Sequence, residues 1–348
     1  MSAAEILVSR EGAAGRLSLN RPKALHALTR AMCLEMSAAL AAWAGDPAVQ
    51  LVVIDHAEGR GFCAGGDINL LRNSALTDGG VAGRAFFLDE YRLNHQLFTY
   101  PKPVVALMDG ITMGGGVGIS QPARFRVATE NTRFAMPESG IGLFPDVGGG
   151  WYLSRLKGRI GQYLALTGAR LDGAECLWAG LATHWVPAAA LPDAVARLAG
   201  GDDPAKVLRA LSAVPPTPAI AEPAELIRRH FASDRLEDII ASLACDPGDW
   251  AQATLAALRT KSPQTCKVAL RQLATGACLP DFAANMAMEY RIASRLMLLP
   301  DFAEGVRAVI VDKDNNPQWN PARPEDVSEM ALDAIFAPLP AAKEWNPL

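Results

Sequence analysis

The sequence predicts an α/β core over residues 1–200 followed by a helical unit over residues 201–348. Three features carry this reading. The continuous apolar run Leu51–Ile54, mostly β-branched, has the signature of a strand covered on both faces. It empties into a glycine turn, Gly61 to Asp67, and a helical start. The same order recurs when Val104–Met108 leads into the glycine triplet Gly114–Gly116. From Gly200 the composition shifts to GGDDPAK and then to VPPTPAIAEP, a proline-rich connector, beyond which the pattern is helical through Ala308. A chain of 348 residues exceeds what one domain usually holds, so two units are expected.

The elements follow in order. Ile6–Val8 and Arg16–Leu19 form a hairpin around Gly12 and Gly15, and Asn20-Arg21-Pro22 ends its second strand. Thr29 supplies the N-cap of a helix running to Trp43, stopped by Gly45-Asp46-Pro47. After the first strand–glycine unit, a helix spans about 83–100. Phe86, Leu93 and Leu97 make its apolar stripe, and Glu90 sits on that same stripe. A carboxylate there is expensive unless partnered. Either it lies at the stripe's edge and reaches water, or it lines a cavity. Pro101-Lys102-Pro103 closes the helix and opens the second strand–glycine unit.

A further strand, Phe125–Ala128, leads to Pro137-Glu138, and a glycine cluster follows Asp146. Beyond it the pattern gives helices over 150–156, 161–166, 173–180 and 191–198, with a short strand at Thr183–Val186. The helical unit shows its clearest segments at 234–243, 251–258 and 282–298. Its short Ala-rich repeats have no true internal period.

Composition excludes several classes. A net charge of −4 and a pI near 5.8 give no electrostatic case for nucleic acid. No apolar run approaches the ~18 residues of a membrane span, and the N-terminus carries no basic or Arg/Ser-rich leader pattern, so a cytoplasmic location is expected. The six cysteines lack CxxC spacing, which points to neither a disulfide framework nor a zinc site. Serine elbows, P-loops and HExxH are absent, and GGGVGI fails the GxGxxG spacing at Ile119. Cys63 reads as a small buried hydrophobe and His184 as a packed or capping histidine.

What remains has a chemical logic. Two strand-to-glycine turns, GFCAGGD and GITMGGGVG, can each direct one backbone N–H into a shared cleft. Two such donors are the minimum for stabilising an oxyanion formed from a thioester or ester carbonyl. The acids after the second turn, Glu138 and Asp146, supply proton chemistry.

These stretches carry a resemblance. AGGDI (Ala64–Ile68), GITMGGGVG (Gly110–Gly118) and FAMPESGIGLFPDVGGG (Phe134–Gly150) resemble the crotonase, or enoyl-CoA hydratase/isomerase, superfamily. So do LNRPKALHAL, FFLDEYRLN and FAEGVRAVIVDKDNNPQWNP elsewhere in the chain. The resemblance implies a spiral of ββα units with a helical C-terminal domain, acyl-CoA bound across the core, and no cofactor beyond the CoA of the substrate. A homo-oligomer is left open, and neither nucleic acid nor membrane is a partner.

Residue by residue, the resemblance makes the N–H groups of Gly66 and Gly115 the oxyanion donors and Glu138 the retained catalytic glutamate. It places Asp146 and Glu90 at the acyl group, and Ala64, Asp67 and Ile68 at the substrate. The likeness is strongest to the hydrolase branch, implying cleavage of 3-hydroxyisobutyryl-CoA to 3-hydroxyisobutyrate and CoA in valine breakdown. One departure supports that choice. Hydratases carry a second glutamate shortly after the glycine triplet, and here that position is Gly118. An isomerase shuttling one proton through a single glutamate is the alternative.

Overall fold

The computed structural model describes residues 4–348. Its strands are β1 (Ile6–Glu11), β2 (Ala14–Leu19), β3 (Leu51–His56), β4 (Gly61–Cys63), β5 (Val104–Met108), β6 (Ile111–Met113), β7 (Phe125–Ala128), β8 (Arg133–Ala135), β9 (Leu171–Asp172) and β10 (His184–Trp185). A six-stranded sheet runs β1-β2-β3-β5-β7-β10, and a four-stranded sheet runs β4-β6-β8-β9. Only the β1–β2 and β8–β9 pairs are antiparallel. Each pair β3–β4, β5–β6 and β7–β8 places its first strand in the large sheet and its second in the small one. The chain therefore winds as a spiral, and successive turns stack through both sheets.

The helices of the first 211 residues are α1 (Arg30–Ala44), α2 (Ile68–Thr77), α3 (Val81–Phe98), α4 (Gly115–Ser120), α5 (Gly149–Leu153), α6 (Ile160–Thr167), α7 (Gly173–Ala179), α8 (Leu191–Ala199) and α9 (Pro204–Leu211). The Thr29 hydroxyl accepts from Met32 N–H, capping α1 as expected. The strands β3 and β5 are covered on both faces. Val52, Ile54, Ala106 and Met108 join the main core, while Leu51, Val53, Val105 and Leu107 pack with Val207 and Leu208 of α9 and Leu198 of α8.

The hairpin forms as expected, but Gly15 lies within β2 rather than in the turn. A β-carbon on Gly15 would sit 2.5 Å from the Trp43 ring, so an aromatic packing across the strand, not a bend, demands glycine there.

The remaining helices are α10 (Ala224–His230), α11 (Leu236–Ala244), α12 (Asp249–Leu258), α13 (Pro263–Cys278), α14 (Phe282–Leu296), α15 (Pro300–Val306) and α16 (Glu329–Phe336). No strand occurs after residue 185 among the described residues. Helices α13 and α14 share the main apolar core with α3 and α5, through Leu273, Phe282 and Met286 on one side and Leu93, Leu97 and Leu153 on the other. No helix of the described residues is long and apolar enough to cross a membrane.

Candidate active site

Three strands of the small sheet aim at one place. Strands β4, β6 and β8 are parallel neighbours, so their C-terminal ends lie side by side. The chain leaving β4 reaches Gly66, the chain leaving β6 reaches Gly115, and the chain leaving β8 reaches Glu138. Ligands commonly gather at the carboxyl ends of parallel strands.

Two backbone positions make these turns. Gly65 has φ +119° and Gly114 has φ +47° with ψ −120°, conformations that L side chains rarely adopt. They orient the following amides: neither Gly66 N–H nor Gly115 N–H finds an acceptor among the described residues. A β-carbon on Gly115 would lie 2.5 Å from Glu90 Oε1, so the backbone must approach the acid closely there.

The turns open into a cavity of about 70 Å³. Ala64, Gly66, Ile68, Glu90, Gly115, Glu138 and Asp146 all line it, with Leu71, Phe86, Phe87, Ile141, Leu143 and Val147 as apolar walls. Of the residues singled out in the sequence, Asp67 alone is not among the lining. Its carboxylate accepts from Leu70 N–H to cap α2 and pairs with Arg21 at 3.4 Å.

A much larger concavity, about 620 Å³, lies elsewhere, between α5 and α7. Its arginines, Arg126 and Arg155, donate to backbone carbonyls, and no carboxylate lines it. The three buried acids and the two glycine amides converge on the smaller space, which is the candidate site.

Glu90 is 2% exposed, which rules out the stripe-edge placement and puts it in the cavity. Its Oε1 has no hydrogen-bond partner, and neither has Glu138 Oε2. Asp146 is held by Tyr91, whose hydroxyl donates to Oδ2 at 2.7 Å.

Burial pushes Glu90 and Glu138 well above the ordinary carboxylate range, and the nearby Asp146 charge pushes both further. Burial also lifts Asp146, to about 6, against the stabilising Tyr91 hydrogen bond. Three acids in one dry pocket cannot all be ionised cheaply, so protons are shared among them near neutral pH. Clusters of this kind mark places where proton transfer is done.

The position of the hydratases' other glutamate is closed. A β-carbon on Gly118 would fall 2.6 Å from Val147 Cβ and 2.8 Å from Asn94 Nδ2. Asn94 is fully buried, one helical turn beyond Glu90, and neither of its amide atoms has a partner.

Cys63 is buried, with its thiol pushed up to about 12, as a packing residue. His184 packs its ring 6.0 Å from Phe125 and bonds Thr183 Oγ1. Among the described residues no group of three or more His, Cys, Asp or Glu is placed to hold a metal ion.

Sequence reasoning missed Tyr91 and Glu289. Glu289 is fully buried and accepts from Gly148 N–H and Gly150 N–H in the loop that carries Asp146. The available signal was the one that exposed Glu90: an acid at helical spacing from Met286, Ile292 and Ala293.

A ββα spiral whose strand ends present glycine amides to buried acids is a crotonase fold. The chain belongs to the enoyl-CoA hydratase/isomerase family, whose model matches residues 14–336. It is 44% identical to the mitochondrial 3-hydroxyisobutyryl-CoA hydrolase of Xenopus tropicalis, over 96% of this chain and 89% of the relative. A crystal structure of a carnitinyl-CoA dehydratase from Mycobacterium thermoresistibile is 40% identical, with a TM-score of 0.93 over 97% of this chain and 98% of that one. One of an enoyl-CoA hydratase from Rhodobacter sphaeroides 2.4.1 is also 40% identical, with a TM-score of 0.91 over 99% of this chain and 100% of that one.

Proposed function

We propose that the protein hydrolyses 3-hydroxyisobutyryl-CoA to 3-hydroxyisobutyrate and CoA, a step of valine breakdown. The observation that carries this reading is the trio Glu90, Glu138 and Asp146 around a small cavity beside two unclaimed amides. A compartment of about 70 Å³ suits a short acyl head. Two acids beyond the single retained glutamate suit a hydroxylated one, because a purely apolar acyl chain would leave Glu90 unpaired and Asp146 with Tyr91 alone.

In the mechanism, the thioester carbonyl oxygen lies against the N–H groups of Gly66 and Gly115. Negative charge grows on that oxygen when the carbonyl is attacked, so fixed donors favour the transition state over the ground state. Glu138 acts as general base on water or attacks the carbonyl itself. Asp146 and Glu90 bind the substrate hydroxyl and position water. CoA leaves as a thiolate of low basicity, which needs little general-acid help. No cofactor is assigned beyond the substrate's own CoA.

The vertebrate relative is named as mitochondrial; for this chain a cytoplasmic location is proposed, with cell fractionation as its check. The division at residue 200 is kept as a proposal, and limited proteolysis between 200 and 223 tests it.

The primary experiment incubates the purified protein with a panel of acyl-CoA esters and follows free thiol. Turnover of hydroxyacyl-CoA esters supports the reading. Thiol release from none, with double-bond migration in an enoyl-CoA, moves the assignment to an isomerase.

Hydration is expected to fail. Crotonyl-CoA should be hydrated poorly or not at all, since Gly118 offers no carboxylate. Gly118→Glu should not restore hydration, because Val147 and Asn94 already occupy the space. Loss of the conjugated enoyl-thioester absorbance is the assay, and robust wild-type hydration refutes the assignment.

The pH dependence follows from the raised acids. Glu138 must be ionised to act as base or nucleophile, and its ionisation is shifted upward. Activity should therefore keep rising with pH well above the ordinary carboxylate range near 4.5, rather than being complete just above it. A kcat/KM profile already flat from pH 5 upward contradicts this.

A further inference from the structure

The loop that delivers Asp146 is unusual. Val147 has φ +52° and Gly148 φ +94°, so the chain makes two consecutive left-handed steps directly after the acid. For a β-branched residue that conformation is an outlier, which persists only when the surroundings enforce it.

The enforcing contacts come from α13 and α14, more than a hundred residues away. Glu289 Oε2 accepts from Gly148 N–H at 2.7 Å, and Oε1 accepts from Gly150 N–H at 2.9 Å. Oε1 also receives Gln272 Nε2 at 2.9 Å and Asn285 Nδ2 at 2.8 Å. Gln272 Nε2 donates as well to the carbonyl of Pro145, at 2.7 Å. Asp146 is thus bracketed, with its preceding carbonyl and two following amides tied to one buried pair of side chains.

Glu289 is 0% exposed and forms no ion pair among the described residues. Burial lifts its acid to about 7 despite four hydrogen bonds. An apolar residue would fill a helix interface at lower cost. The chain instead keeps a carboxylate whose two oxygens each face a backbone N–H of the same turn.

We infer that Glu289 is a positioning residue: through Gly148 and Gly150 it holds the Val147–Gly148 turn, and thereby keeps the Asp146 carboxylate aimed into the acyl cavity. The inference rests on the hydrolase reading for what Asp146 does there. Tyr91 fixes the Asp146 side chain from α3, and Glu289 fixes its main chain from α14. The helical C-terminal part of the protein in this way acts on a reacting centre it does not line.

The test is Glu289→Gln. An amide sets its NH₂ against one of the two backbone N–H groups whichever way it is turned. The expected result is faster amide hydrogen exchange over residues 145–150 and a drop in kcat for 3-hydroxyisobutyryl-CoA of roughly 10²-fold, the size typical of a misplaced reacting group. KM should change less, and the preference over isobutyryl-CoA should narrow, which mere loss of stability would not produce.

Asn285→Ala, which removes one donor and leaves Glu289 in place, should shift the same readouts less. It keeps the test open if Glu289→Gln fails to fold. A lowered Tm with unchanged kcat and unchanged hydroxyl preference overturns the inference. Should the wild type cleave no hydroxyacyl-CoA, the hydrolase reading falls, and exchange over 145–150 still decides the clamp: faster exchange in the variant supports it, unchanged exchange overturns it.

Discussion

Replacing Glu138 by Gln is expected to remove nearly all thioester hydrolysis while leaving the fold intact. The side chain lies at the C-terminal exit of β8, and its Oε2 is buried without a protein partner, free for water or the thioester. Loss of a general base costs about 10²–10⁴-fold, and loss of a nucleophile more. The amide has nearly the same shape, so its place beside Gly114 is kept. Its thermal stability should even rise at pH 8. The folded-state ionisation of Glu138 is shifted upward, so its contribution to stability is complete below the unfolded value and is lost as pH rises through the folded one. The wild type at pH 8 therefore carries a burden that the variant lacks, and the difference should shrink toward pH 5. Steady-state thiol release and melting curves at both pH values check the two halves. Retention of more than a tenth of wild-type turnover would sink the role of Glu138.

The parts of this architecture legible in sequence were those with local causes. The runs that became β3 and β5 announce themselves because both faces are covered and no polar alternation interrupts them. Thr29 was readable as a cap because its partner, Met32 N–H, lies three residues away. Glu90 stood out because a helix places it among Phe86, Leu93 and Leu97, and the structure finds it in the cavity.

What escaped depends on contacts distant in sequence. Gly15 takes its identity from Trp43 across a strand, which no turn rule encodes. Helix α9 lay unrecognised in the GGDDPAK stretch, although Asp203 accepts from the N–H groups of Ala205 and Lys206 and Pro204 begins the helix. Its apolar face is short, and it was overshadowed by the prolines that follow. Asp67 belongs to a motif at the site, yet its side chain turns to its own helix and to Arg21. The hold of Glu289 on Gly148 and Gly150 spans about 140 residues, and nothing local to either partner reveals the other.

A substrate hydroxyl should matter far more than a methyl group. Glu90 and Asp146 both face a cavity whose other walls are largely apolar, and Glu90 Oε1 has no protein partner. A 3-hydroxyl donates to one of these acids and is held by the other. Isobutyryl-CoA, which lacks the hydroxyl, leaves Glu90 unpaired and Asp146 with Tyr91 alone in a dry site. Sites built to bond a hydroxyl reject the deoxy analogue by up to ~10⁴–10⁵-fold, whereas one methyl group changes rates by only ~10–200-fold. 3-Hydroxyisobutyryl-CoA and 3-hydroxypropionyl-CoA should therefore differ modestly, with isobutyryl-CoA far below both. Glu90→Ala should lower activity overall and compress the hydroxyl preference, since the acid whose Oε1 has no protein partner is gone. Measuring kcat/KM for the three esters, with wild type and Glu90→Ala in parallel, decides the matter. Equal rates for isobutyryl-CoA and its hydroxylated counterpart would end the case for a hydroxyacyl-CoA hydrolase and favour the single-glutamate isomerase.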